Sequence, residues 1–289
     1  MLSARKPPEL SEVVALTPER FRSWWADSWG QGEHVIVLGQ TGAGKSTLVM
    51  FLCSVRKYVI ALDAKGHDRT LSSTGWPRYK KWPLPKSVRD QARDGEPVRV
   101  IIGGPANNDE EFKANAALLR KAIKGIWTSG KWTLWADEGQ ILADVRYIGA
   151  GEDLEKMLIA ARDRKVSLVF CMQRPQIGRT TPAASAAISQ STWVFVSRTR
   201  DRRVHDRLAE ICGRPAAEIR GLIKGLPRYA WACLSLDPYE PIRIVTPPPP
   251  KMAKPSKAEV APGQETSDSP KPPSRMSVWL WGHPSQKAA

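Results

Sequence analysis

Between His34 and about Val245 the chain alternates short apolar runs with longer stretches in which apolar residues recur every three or four positions. The runs are "VIVL", "YVIAL", "VRVII", "WTLWA", "VSLVFCM" and "TWVFV". They are nearly continuous rather than alternating, as strands buried on both faces of a parallel sheet require. In "EEFKANAALLRKAIKGIW", Phe112, Ala116, Leu119, Ile123 and Ile126 share one helical face. In "RRVHDRLAEICG", Val204, Leu208 and Ile211 do the same, and Gly213 closes the helix. In "EDLEKMLIAARDR" the stripe is Leu154, Leu158 and Ala161, with Arg162 beside it. The pattern predicts an α/β domain over residues 31–245, with a largely parallel central sheet flanked by helices.

The flanks read differently. Residues 1–30 predict a helical extension, "TPERFRSWWADSW", with Thr17 as N-cap and Pro18 in the first helical position. Its Trp24, Trp25 and Trp29 cannot share one face, so packing on the core and service to a neighbouring subunit are both open. After "PIRIV", residues 246–289 hold ten of the 24 prolines among Ser, Lys and Ala. Too little apolar surface remains to offset the entropy of ordering, which predicts a disordered Pro-rich tail. That tail ends in "SVWLWGHP", where Trp279, Leu280 and Trp281 form either a docking motif or a patch that folds back on the domain.

Charge narrows the class of partner. The 289 residues carry a net +15 with a pI near 9.9, which implies an acidic partner, nucleic acid being the commonest. Cys53, Cys171, Cys212 and Cys233 are widely spaced in apolar runs and read as buried thiols, not as a zinc or disulfide framework. No apolar run has the length of a membrane span, and "MLSARKPPELSEVV" lacks the apolar centre of a signal peptide. The expected location is the cytoplasm, the host's for a viral chain, or association with a virion.

The candidate chemistry sits at the ends of the predicted strands. "GQTGAGKST", comprising Gly39, Gln40, Thr41, Gly42, Ala43, Gly44, Lys45, Ser46 and Thr47, follows "HVIVL" and fits the phosphate-loop pattern. Its glycines allow a tight turn whose N–H groups point at phosphate oxygens, next to the positive end of a helix. Lys45 is expected to reach the β and γ phosphates of ATP, and Ser46 to ligate Mg²⁺. "WTLWADEG" ends a strand with Asp137, a second Mg²⁺ ligand, and Glu138, which polarises the attacking water. In "LVFCMQRPQ", Gln173 ends a strand expected to lie between these two, where an amide can contact both the γ-phosphate and the water; taken alone, Gln-Arg-Pro at a strand end reads equally as a turn.

Together these stretches resemble the FtsK/HerA family of DNA-pumping ATPases, which includes conjugative coupling proteins and viral genome-packaging ATPases. The resemblance spans about residues 30 to 210. It rests on the G-x-T-G-x-G-K-S loop, "ALDAKGHD" with Asp63, Lys65 and Gly66 where the family has D-P-K-G, the Asp-Glu pair, and Q-R-P preceded by Arg162. Asp201 and Arg203 in "VFVSRTRDRR" match a further D-x-R. The resemblance implies a RecA-like fold of the ASCE class, a homo-oligomeric ring of hexameric form and double-stranded DNA as partner. It also implies ATP hydrolysis between subunits, with Arg162 as a finger reaching the neighbour's nucleotide. Arg174 and Arg179 would face the ring interior and meet DNA phosphates. In size the chain looks most like packaging ATPases of membrane-containing viruses or other mobile-element motors, with a capsid or vertex protein as the expected partner of the tail. A motor for conjugative transfer or phage export, and a nucleotide-gated assembly ATPase that does not translocate, are the alternatives.

Two basic stretches stay open. "RTRDRR", with Arg198, Arg200, Arg202 and Arg203, reads as a subunit interface or nucleotide contact, a phosphate-binding patch, or a solvated helix start. "WPRYKKWPLPKSVR" mixes Trp76, Tyr79 and Trp82 with Arg78, Lys80, Lys81 and Lys86, which suits either nucleic-acid stacking or a lid loop.

Overall fold

The structure, a computed structural model, describes residues 12–66, 68–173 and 181–249. Arg174, Arg179 and the tryptophans Trp279 and Trp281 lie outside the described residues. In chain order the elements begin with β1 (Val13–Ala15), α1 (Pro18–Ser28), β2 (His34–Leu38), α2 (Lys45–Cys53), β3 (Tyr58–Leu62), α3 (Arg69–Ser73) and β4 (Arg78–Tyr79). They continue with α4 (Lys86–Arg93), β5 (Val98–Ile102), α5 (Asp109–Ser129), β6 (Thr133–Ala136), α6 (Gly139–Ala143), α7 (Gly151–Ala160) and β7 (Ser167–Met172). The last are α8 (Pro182–Gln190), β8 (Ser191–Ser197), α9 (Arg202–Ile211), α10 (Ala216–Gly225), β9 (Trp231–Ser235) and β10 (Ile242–Val245).

The ten strands among the described residues form one sheet in the order β1-β10-β9-β8-β2-β7-β6-β3-β5-β4. Within it the β8–β9 and β9–β10 pairs are antiparallel and the others parallel. The apolar runs make this sheet because successive side chains enter two different cores. In β2, Ile36 and Leu38 join one core while Val35 and Val37 join the other, and β7 divides Leu168, Phe170 and Met172 from Val169 and Cys171 in the same way. On the first face, α5 contributes Ala116, Leu119, Ile123 and Ile126, and α7 contributes Leu154, Met157 and Leu158. On the second face, α2 contributes Leu48, Val49 and Leu52 beside an aromatic group from α1. All four cysteines are free and buried, and burial pushes the Cys53 and Cys212 thiols up to about 12.

Residues 13–29 belong to this sheet and this core. The helix expected at the N-terminus is α1, capped by Thr17, whose hydroxyl accepts from the Arg20 N–H at 3.4 Å, with Pro18 in the first turn. A strand not evident in the sequence precedes it: β1 pairs in parallel with β10, Val13 opposite Ile242. Phe21, Trp25 and Trp29 are buried, with Trp25 stacked 5.0 Å from Trp29 and edge-on to Phe195 at 5.3 Å. Truncating one such ring costs about 3–5 kcal/mol, so α1 is held by packing rather than by its own propensity. Trp24 is half-buried, edge-on to Trp193 and covered by the Arg243 guanidinium at 3.9 Å. Both edges of the sheet are short strands, β1 and β4, a form that limits pairing with other chains.

Candidate active site

The phosphate loop leaves the C-terminal end of β2, in the middle of the sheet. Its first residue is tied down: the Gly39 N–H donates to the Met172 carbonyl at the end of β7, at 3.1 Å. A Cβ at Gly39 would lie 2.8 Å from the Trp231 ring and 2.9 Å from the Ser197 hydroxyl, so only glycine fits. Gly44 is the N-cap of α2 with φ of 89°, a left-handed conformation that glycine adopts without strain. It turns the chain so that α2 starts at Lys45 with its first-turn N–H groups facing the loop. Those groups lack intrahelical acceptors, and with the helix dipole they form an anion site. The Lys45 ammonium lies along the loop, donating to the Gly39 carbonyl at 3.0 Å and the Gln40 carbonyl at 3.3 Å.

Beyond the end of β6, Asp137 meets this loop. The Ser46 hydroxyl donates to Asp137 Oδ2 at 3.1 Å, and the Trp135 indole N–H donates to Oδ1, also at 3.1 Å. Asp137 is buried, and burial, reinforced by the Asp68 charge, pushes its pKa up to about 6 against the pull of those two donors. Both donors are neutral, and among the described residues no Lys or Arg pairs with this carboxylate. A buried carboxylate beside a hydroxyl, short of positive charge, is a donor set that fits Mg²⁺.

Glu138 is held by a residue the sequence assigned no role. The Lys65 ammonium pairs with Glu138 Oε1. Burial opposes the charge on Lys65, but the hydrogen bond and charge of Glu138, then Asp68 and Asp137, outweigh it and raise its pKa. The turn that presents Lys65 is organised by Asp63, buried at the end of β3. The Asp63 carboxylate accepts from the N–H groups of Lys65 at 3.1 Å, Gly66 at 2.8 Å and Asp68 at 3.2 Å, and from Arg78 at 2.7 Å. Asn115 backs it, donating to the Asp63 carbonyl at 3.0 Å. The resulting groove is lined by Lys45, Ser46, Lys65, Asp68, Asp137 and Glu138, together with loop residues Thr41 and Gly42.

The remaining expected residues divide by location. Gln173 follows β7, which lies between the loop strand β2 and the Asp137 strand β6, and it is exposed at the same end of the sheet. Arg162 does not join this group. It precedes β7 at the opposite end, exposed, with its carbonyl accepting from the Lys165 N–H at 2.9 Å and packed against Gly32 before β2. Arg198, at the end of β8, lies beside Gln40, Thr41, Gly42 and Ala43. Asp201 is the N-cap of α9 and accepts from the Arg203 N–H at 3.0 Å. Lys80 and Lys81 are exposed past the end of β4. The aromatic residues around them turn inward: Trp76 packs edge-on to Trp135 at 5.9 Å, and Trp82 lies against Gly125 of α5. Stacking on nucleic acid through those two rings is therefore not the role the fold gives them.

No family model matches this chain, and no curated protein matches it in sequence. Solved structures do. VirB4 of Thermoanaerobacter pseudethanolicus matches at 12% identity over 75% of this chain and 90% of that one, with a TM-score of 0.52. The bacterial conjugative coupling protein TrwBdeltaN70 matches at 12% identity over 80% of this chain and 91% of that one, with a TM-score of 0.52. The DNA-packaging ATPase B204 from Sulfolobus Turreted Icosahedral Virus matches at 16% identity over 75% of this chain and 98% of that one, with a TM-score of 0.48. The fold of this chain is thus the RecA-like α/β P-loop fold expected from its resemblance to the FtsK/HerA type.

Proposed function

We propose that the protein is an ATP-driven translocase of double-stranded DNA, working as a homo-oligomeric ring of hexameric form, and that its task is packaging a viral genome into a capsid. The observation that carries this reading is the meeting of Ser46 and Asp137 at 3.1 Å, with Glu138 next in the chain and Gln173 just past the end of the strand between the loop strand and the Asp137 strand. Gly39 to Thr47 would cradle the phosphates, Lys45 would leave its carbonyl partners for the β and γ oxygens, and Ser46 and Asp137 would hold Mg²⁺. The ion, when bound, supplies positive charge that neutralises the phosphates and the Asp137 carboxylate. Glu138, released from Lys65, accepts a proton from the attacking water, and the Gln173 amide orients that water. Arg162, at the far end of its own sheet, would serve a site on the neighbouring subunit.

DNA as the driven partner is supported by the net +15 and by the exposed Lys80 and Lys81. Trp279 and Trp281 are proposed to dock on a capsid vertex protein. The test of the motor reading is ATP turnover with and without long duplex DNA at low salt. Stimulation that weakens steeply with added salt is expected. A rate indifferent to DNA would overturn it in favour of a nucleotide-gated assembly protein.

A further inference from the structure

An apolar slot opens beside the phosphate groove, and no motif in the sequence pointed to it. Tyr229 and Trp231 contribute to it from around the start of β9, and Thr246, Pro247 and Pro249 from the segment after β10. It meets the phosphate groove at Gly44 and Thr47, which line both. A bound nucleotide would leave the groove on that side, because the loop and Lys45 hold the terminal phosphates and Thr47 comes one residue after Ser46 on α2. The Tyr229 ring lies against Gly44, its Cδ1 3.5 Å from where a Cβ would stand. Tyr229 is also 47% exposed and held at φ of 65°, a backbone conformation unfavourable for any residue with a Cβ. The fold therefore holds a half-exposed aromatic ring at the mouth of the phosphate site, with the Arg228 guanidinium 4.8 Å from its centroid.

We infer that this slot takes the base of the nucleotide by stacking on Tyr229 and contact with Pro247 and Pro249, and that it selects purines as a class without separating adenine from guanine. The chemistry of the lining decides the second half. The residues lining the slot bring no carboxylate, amide or cationic side chain, only the hydroxyls of Thr47, Thr246 and Tyr229 and the Trp231 indole N–H; the Arg228 guanidinium, 4.8 Å from the Tyr229 ring centroid, lines the adjoining groove with Gln40 and Thr41. Telling adenine from guanine requires fixed donors and acceptors aimed at the base edge, whereas stacking responds to ring area and tolerates either purine. The inference rests on the nucleotide-binding reading of the loop and names its substrate class.

The experiment measures binding of ATP, GTP, CTP and inorganic tripolyphosphate to the full chain and to its Tyr229→Gly, Tyr229→Phe and Lys45→Ala variants. Glycine is chosen because it removes the ring while relieving the positive φ, so the variant should fold at least as well as the parent; the melting temperature checks this. ATP and GTP should bind within about threefold of each other and CTP about tenfold more weakly. Tyr229→Gly should lose about tenfold for both purine nucleotides and nothing for tripolyphosphate, and Tyr229→Phe should restore the loss. Unchanged ATP affinity in Tyr229→Gly, or a tenfold preference of the parent for ATP over GTP, would overturn the inference and leave the loop's role intact. Tripolyphosphate binding that ignores Lys45→Ala would instead overturn the loop reading on which the inference stands.

Discussion

Where the strands begin, side chains close the sheet by bonding to backbone; where they end, carboxylates and cations face a groove. At the beginning of the strands, the Gln31 amide donates to the carbonyls of Trp132 at 3.3 Å and Lys165 at 2.7 Å. Arg99 donates to the carbonyls of Ser54 at 2.9 Å and Arg56 at 2.8 Å, and Arg56 to that of Gly30 at 2.7 Å. His34 is buried there, kept neutral by burial that pulls its pKa down to about 4, and its Nδ1 accepts from the Leu168 N–H. At the other end, Asp63, Asp137, Glu138 and Lys65 form contacts that a bound cation or phosphate would rearrange. The contrast teaches that one end is fixed and the other is poised, and that Arg162, on the fixed end, has no route to the groove of its own chain.

The comparison breaks most sharply at Arg162. Arg162→Ala should bind ATP normally yet lose about a thousandfold in DNA-stimulated turnover, because the transition-state charge goes uncompensated. Mixing it with Lys45→Ala subunits should restore part of the rate, since an intact pocket then meets an intact arginine in some rings. No recovery in mixed rings confirmed by mass would shift the role to Arg164, Arg198 or Arg203.

On the poised end, Glu138→Gln should retain Mg·ATP and lower turnover about a hundredfold or more, because the amide accepts no proton from water. Trapped nucleotide, measured after rapid filtration, is the check, and near-normal turnover would remove Glu138 from its assigned part.

A smaller effect concerns Asp137 in the nucleotide-free protein. Its folded pKa of about 6 stands above the ordinary 3.8, so protonation favours the folded state, fully below pH 3.8 and progressively less as pH rises through 6. Asp137→Asn should therefore raise stability by on the order of 2–3 kcal/mol at pH 8 and by almost nothing at pH 4. Chemical denaturation at the two pH values measures the difference, and an equal effect at both would place the carboxylate in a solvated site. Smallest of all, Lys80→Ala or Lys81→Ala should lower the slope of log DNA affinity against log salt by about one each. An unchanged slope would remove these lysines from the DNA path.

What could be read from the sequence was local. The loop, the Asp-Glu pair and Gln173 each follow an apolar run, and strand direction alone carries them to one end of the sheet. The pairing of Lys65 with Glu138 joins residues on two turns after β3 and β6, and no spacing in either turn announces it. The Tyr229 slot gathers residues of α2, the β9 approach and the segment after β10, none of which carries a signal alone. Strands β1, β4, β9 and β10 escaped notice because β1, β4 and β10 are two to four residues long and β9, "WACLS", sits among turn residues. "WPRYKKW" suggested a stacking surface because composition does not tell which way a side chain points, and the fold turned Trp76 and Trp82 inward.

The central claim, that chemistry at the poised end moves duplex DNA, is tested most directly by displacement of a triplex-forming oligonucleotide from a long duplex. The wild-type protein should release the third strand in the presence of ATP and Mg²⁺, after a lag that lengthens with the distance to the triplex, and Lys45→Ala and Glu138→Gln should release none. ATP hydrolysis stimulated by DNA with no displacement at any distance would contradict the account.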